Sequence, residues 1–179
     1  MILGLFRRRA DDQRTRALYA SIVAQARQPG FYARLGVPDT IEGRYEMLML
    51  HAFLFMHRLK AVPQEARAAG QKVFDLMFED MDRSLREIGV GDLTVPKKIK
   101  KMASAFYGRT AAYDTALSGE DGELAAALER NVFSGDSGTD VRSSRLASYV
   151  REAVAVLALQ PSEELISAGP KFPQMEAAN

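Results

Sequence analysis

The residues able to do chemistry fall in a few short stretches of this chain, and most are better explained by structure. Gly135-Asp136-Ser137-Gly138 has the glycine-flanked Asp-Ser pattern of a serine nucleophile. A catalytic triad is defined by geometry, however, and these residue types suit a loop without further explanation. Gly89-Val90-Gly91 could open a dinucleotide fingerprint. It follows a helical pattern rather than a strand and lacks the third glycine, so a helix C-cap and turn are expected. His51 and His57 are the only histidines. On one helix they stand about 120° apart and cannot grip one metal ion. With no cysteine to complete a site, His51 is expected as a hydrogen-bonded core residue.

The charged clusters are more informative. Among Asp75, Glu79, Asp80 and Asp82, the pairs Glu79/Arg83 and Asp82/Arg86 have the i, i+4 spacing of a solvated helix face. Asp80 lacks such an explanation and is expected to cap or bridge elsewhere. From Thr94 to Tyr113 there are five positive residues, the run Lys97-Lys98-Ile99-Lys100-Lys101 and Arg109, and not one acid. Lys97 and Lys98 fall in a first helical turn, where the macrodipole disfavours cations by ~0.3–1 kcal/mol each. Lys97/Lys101 and Lys98/Lys101 add like-charge repulsion at contact spacing. Two explanations stay open: acids from another helix, Asp80 or Asp92, neutralise the run, or it meets an anionic partner such as RNA, lipid headgroups or acidic protein. Lys97, Lys98, Lys100, Lys101, Arg109 and Asp80 are therefore the candidate partner-binding residues. No catalytic, cofactor-binding or metal-ligating residue is expected.

The elements that must position these residues are all helices. Apolar residues recur at helical spacing throughout, and no segment alternates with period two. The pattern predicts helices over Asp12–Gln28, from an Asp39 cap with Glu42 to Leu59, over Pro63–Ile88, from Thr94 or Val95 to Leu117, over Asp121–Val132 and over Asp140–Leu159. A turn is expected after Pro161. Pro29-Gly30, Gly89 and the loop from Ser134 punctuate them. Phe74, Met77, Phe78, Met81, Leu85 and Ile88 are the expected core stripe of the third. The centre of the second, Met47 to Met56, is apolar on all sides and is either the middle of the core, which is the expectation, or partly exposed to a partner. The expectation is an all-α, single-domain irregular bundle of about six helices with short terminal turns. Residues 1–11 would form a flexible basic tail, residues 12–168 the domain and residues 169–179 a C-terminal tail.

Composition sets the outer bounds. At 179 residues, 47% of them hydrophobic, the chain builds one packed core. A net charge of +1 predicts no overall attraction to nucleic acid or anionic lipid, so charge recognition must be local. The absence of cysteine suits a reducing compartment. Met1 to Arg9 places its apolar stretch before its basic run, the reverse of a signal peptide, so secretion is not expected. Leu3, Leu5 and Phe6 beside three arginines could instead form a frayed tail or a weak foot on a membrane surface.

A longer likeness emerges from these same stretches. The segment from Asp80 to Asp92, continued by Val95-Pro96-Lys97-Lys98-Ile99-Lys100-Lys101-Met102, Ala105 to Arg109 and Ala112-Tyr113, resembles the ubiquinol–cytochrome c chaperone family. Phe31 to Thr40, Gly43-Arg44, Leu50-His51 and Arg130-Asn131 resemble it too, so the likeness runs from about Tyr19 to Phe172. The resemblance implies a non-enzymatic helical assembly factor for ubiquinol–cytochrome c reductase, with newly made or apo cytochrome b as its client and no small-molecule substrate or cofactor. A ribosome or a small partner protein is a further expected contact, from mitochondrial members. The chain is too short to accommodate an organelle-targeting extension as well, so the cytoplasm, at the inner face of the cytoplasmic membrane, is the expected location. The alternative is an adaptor that binds ribosome, RNA or membrane surface through Lys97–Lys101.

Replacing Lys97, Lys98 and Lys101 together with glutamine separates the two explanations of the basic run. If the run meets a partner, the melting temperature holds or rises while partner retention falls, most at low salt. If the lysines pair internally, stability drops and retention survives.

Overall fold

The computed structural model describes residues 2–120, 122–134 and 140–175, and among them every regular element is a helix. Eight helices follow one another: α1 (Ile2–Ala26), α2 (Pro29–Ala33), α3 (Ile41–Leu59), α4 (Gln64–Glu87), α5 (Val95–Ser118), α6 (Glu123–Val132), α7 (Asp140–Leu159) and α8 (Ser162–Ala168). The six long predicted helices are all present. α1 starts ten residues before Asp12, and α2 is an extra single turn opened by Pro29, whose missing N–H suits a first helical position. The stretch Gly135-Asp136-Ser137-Gly138 and the side chains of Leu3, Leu5 and Phe6 lie outside what is described.

The start of α3 differs by one residue from the sequence expectation. Thr40, in extended conformation, is the N-cap, and its hydroxyl accepts from the Gly43 N–H at 3.1 Å. Asp39 instead accepts from Arg44 Nε at 2.6 Å. Gly43 is required there, because a Cβ would stand 1.9 Å from the Pro38 carbonyl oxygen. At the end of α4, Gly89 adopts φ +87°, a conformation that favours glycine, and breaks the helix as expected.

α3 is the hub. Met47, Met49, Leu50, Phe53, Leu54 and Phe55 are all at most 1% exposed, and α1, α4, α5, α6 and α7 all pack on this helix. Neighbours close around this apolar centre and leave only Leu48 and Met56 partly buried. His51 is the polar exception, and its partners tie distant parts of the chain together. Its Nδ1–H donates to the Met47 carbonyl at 2.8 Å, which leaves Nε2 to accept from the Tyr149 hydroxyl at 2.8 Å. Tyr149 in turn accepts from Gln25 Nε2 at 3.0 Å. Gln25 also donates to the Pro173 carbonyl, and Gln28 accepts from the Met175 N–H.

One buried relay thus joins α3, α7, α1 and the segment after α8. That segment packs against the core rather than trailing from it. Phe172 meets the His51 ring edge-on at 5.1 Å, and Gln160 holds the Gly169 carbonyl and the Lys171 N–H. Gly169, at φ +94°, turns the chain into place.

Burial pushes the His51 imidazole down to about 4 from its ordinary 6.5. The folded chain therefore holds it neutral while the unfolded chain binds a proton as pH falls below 6.5. Stability drops through that window, by roughly 3 kcal/mol once pH reaches 4. Urea unfolding at pH 7, 6 and 5 should show this slope, and His51→Leu should flatten it. At neutral pH, Tyr149→Phe should cost ~1–3 kcal/mol by leaving His51 Nε2 and Gln25 without their shared hydroxyl.

Candidate functional site

Two pairs of contacts set the register of the helices around the candidate site. Lys72 Nζ meets Asp11 Oδ2 at 3.1 Å, and the Tyr19 hydroxyl donates to Asp80 Oδ2 at 2.9 Å. Both pairs span 61 residues, so α1 and α4 run parallel. The Tyr45 hydroxyl donates to the Met102 carbonyl, and His57 Nδ1 meets Asp114 Oδ1, and both pairs span 57 residues. α3 and α5 are therefore parallel as well. Carried to the helix ends, these offsets bring Arg27 level with Ile88 and Ile41 level with Lys98. The C-terminal ends of α1 and α4 thus meet the N-terminal ends of α3 and α5 at one end of the bundle.

A groove of about 610 Å³ opens there. Its walls are apolar, with Val23, Leu48, Met81, Leu85 and Met102 among them, and Ile41 and Ile88 stand at its mouth, 70% and 62% exposed. Large apolar side chains this open to water mark a surface made for another molecule when they adjoin an apolar groove. Arg27, Arg44, Lys98 and Lys101 line the same groove. Arg27 and Arg44 also border a neighbouring cleft of about 500 Å³ beside Tyr32.

The predicted binding residues divide in this geometry. Lys98 and Lys101 line the groove, whereas Lys97 and Lys100 are exposed but are not among its lining residues. No ion pair engages any of the four among the described residues. The acids that could have neutralised them are taken. Asp80 accepts from Tyr19 and from Arg83 Nη2, and Asp92 pairs with Arg86. Asp80 therefore lies in the groove wall as a bridge from α4 to α1, and Arg83 reaches it at i, i+3 rather than reaching Glu79. Asp82 and Arg86 do pair, at 2.6 Å.

Arg109 is committed elsewhere. Its Nε and Nη2 donate to Glu46 Oε2 and Oε1 at 2.6 and 2.5 Å, a bidentate pair joining α5 to α3. Burial raises the Glu46 carboxyl against the opposing pull of that guanidinium. The sequence reading missed the apolar half of the site. Ile88 was assigned to the core stripe, but it caps the C-terminal end of α4 and stands exposed there. Ile41 and Arg27 fall at helix ends, where periodicity is silent. The signal available for Ile88 was its place just before the Gly89 stop, at the limit of any neighbour's reach.

Fold and groove together define a helical domain with an apolar, cation-rimmed groove at one end. The chain belongs to the ubiquinol-cytochrome C chaperone family, whose model matches residues 33–172. It is 42% identical to the protein in a crystal structure of the Cbp3 homolog from Brucella abortus, with 98% of each chain covered and a TM-score of 0.85. It is 28% identical to the yeast Saccharomyces cerevisiae protein CBP3, mitochondrial, over 79% of this chain and 44% of that one. The human ubiquinol-cytochrome c reductase complex assembly factor 1 matches at 26% identity over 85% of this chain and 51% of its own length. The chain thus spans about half the length of these human and yeast relatives. No helix among the described residues is long and apolar enough to cross a membrane.

The Glu46–Arg109 pair should prove structural. Arg109→Met should cost ~3–5 kcal/mol by leaving Glu46 buried and unpaired, and Glu46→Gln/Arg109→Met should recover much of that loss. Urea unfolding of the three proteins at pH 7 measures both.

Proposed function

We propose that this protein is a non-enzymatic assembly chaperone for ubiquinol–cytochrome c reductase, and that its groove holds an apolar segment of newly made cytochrome b. The observation that carries the reading is the groove itself. Ile41 and Ile88 project at its mouth beside unpaired Lys98 and Lys101, in a chain of the ubiquinol-cytochrome C chaperone family. A client with exposed apolar segments gains from burying them, at ~25 cal/mol for each Å² removed from water. Met81 and Met102 in the walls adapt their shape to different side chains, which suits a client met before it has its final packing.

Charge at the rim raises the encounter rate without requiring tight binding, and release stays possible because the groove covers a segment and not a whole protein. The reading gives no residue a catalytic step. Cytochrome b is a membrane protein, so the chaperone would work at the inner face of the cytoplasmic membrane, reaching its client from the water side. The human relative is named as a reductase complex assembly factor, and that favours this function over a ribosome, RNA or membrane-surface adaptor.

Deleting the gene should lower assembled ubiquinol–cytochrome c reductase and leave other respiratory complexes largely present. The wild-type gene should restore it. Ile41→Asp/Ile88→Asp should fail to do so while keeping its melting temperature, since both side chains are exposed. Full restoration by that variant would count against the groove, and normal haem-loaded cytochrome b in the deletion strain would count against the function.

A further inference from the structure

The charges around the groove are unevenly satisfied. Three acids line it, and two of them are occupied: Glu46 by Arg109, and Asp80 by Tyr19 and Arg83. Only Glu42, exposed in the first turn of α3, has no ion-pair partner there. Of the four cations, Arg27, Lys98 and Lys101 are in no ion pair among the described residues. Arg44 meets Asp39 through its Nε. The mouth therefore carries a surplus of unspent positive charge around an apolar floor. The first turn of α5 adds to it, because that turn holds no acid to offset its N-terminal dipole. Local helix energetics disfavour Lys98 there, so the cation is retained at a cost to the free protein.

The register described above fixes the shape of this arrangement. Arg27 stands at the end of the parallel pair α1 and α4. Lys98 and Lys101 stand at the start of the parallel pair α3 and α5, with Ile88 and Ile41 at the same two edges. An occupant that lays apolar side chains on the floor must pass between cations on both sides. Arg27 lines both the groove and the adjoining cleft beside Tyr32.

We propose that the groove selects an amphipathic helix in which a short apolar stripe is flanked on both sides by carboxylates. The inference rests on the groove as the client's site and adds the chemistry of the segment that enters it. A stripe at i, i+3, i+4 and i+7 presents its apolar face to the floor. Asp or Glu beside that stripe meets Arg27 on one edge and Lys98 and Lys101 on the other. A segment with lysines in those places meets like charge as it enters and is turned away.

The test uses the full chain and three synthetic 16-residue peptides that share one leucine stripe and carry glutamate, glutamine or lysine on its flanks. Fluorescence anisotropy at low and high salt gives their affinities. The glutamate peptide should bind ~tenfold tighter than the lysine peptide at low salt, with the gap narrowing as salt rises. In Arg27→Glu/Lys98→Glu/Lys101→Glu the order should invert, and circular dichroism confirms that the variant is folded. Should it not fold, Lys98→Gln/Lys101→Gln should narrow the gap. Equal binding of all three peptides, or an unchanged order in the folded charge variant, overturns the inference. If Ile88→Asp then abolishes binding of every peptide, the groove stands without the charge selection. If no peptide binds the wild-type chain, the inference is also overturned, and complementation by Ile41→Asp/Ile88→Asp separately decides the groove.

Discussion

Burying the centre of α3 constrains where everything else in this fold goes. A helix with six large apolar side chains within three turns needs cover, and five other helices supply it. Close packing leaves no room for water to satisfy a polar group in that interior, so His51 needs partners built from the protein. It finds them in Tyr149 and the Met47 carbonyl, and Gln25 extends the chain to α1 and the C-terminal segment. A hydrogen-bonded relay of this kind discriminates among packings as apolar contact does not. If α7 shifts by a turn, the Tyr149 hydroxyl leaves His51, and both groups are stranded in an apolar core.

The groove opens where the hub begins, and Ile41 in the first turn of α3 stands 70% exposed. The parallel registers of α1 with α4 and of α3 with α5 bring two C-terminal ends beside two N-terminal ends. Apolar stripes that continue to the helix ends then have no internal partner. Stability alone would favour polar residues at Ile41 and Ile88, and acids instead of lysines in the first turn of α5. The chain instead keeps apolar and cationic groups together at one edge, an arrangement suited to intermolecular contact. The far end is closed differently: Arg58 donates to the Leu157 and Gln160 carbonyls, satisfying the end of α7.

Much of this was legible in the sequence because proline and glycine act locally. Pro63, Gly89 and Pro161 punctuate the chain within a residue or two of where helices begin and end, and the all-apolar run from Met47 to Met56 announced the hub. His51 as a hydrogen-bonded core residue was legible from its apolar neighbours and the lack of metal-ligand companions. What failed depended on distance in space. Asp39 is the better cap by type, yet Arg44 holds its carboxylate and the Thr40 hydroxyl takes the Gly43 N–H. Arg109 looked like the last member of a basic face, yet Glu46, far away in sequence, claims it. The expected C-terminal tail contains Phe172, whose burial requires knowing where His51 lies. The sequence left open whether Lys98 and Lys101 are neutralised within the chain, and the apolar floor beside them comes from four helices and has no signature in any one of them.

The account's central claim is that this end of the bundle holds the client. A photoreactive amino acid placed at Ile41 or Ile88, and at Leu159 as the control, tests it in living cells. Leu159 is apolar and more exposed, at 86%, and lies at the opposite end of the bundle, away from the groove. Irradiation followed by immunodetection of cytochrome b reports which positions touch it. The account predicts adducts from Ile41 and Ile88 and little or none from Leu159. Adducts from Leu159 with none from the groove would contradict it.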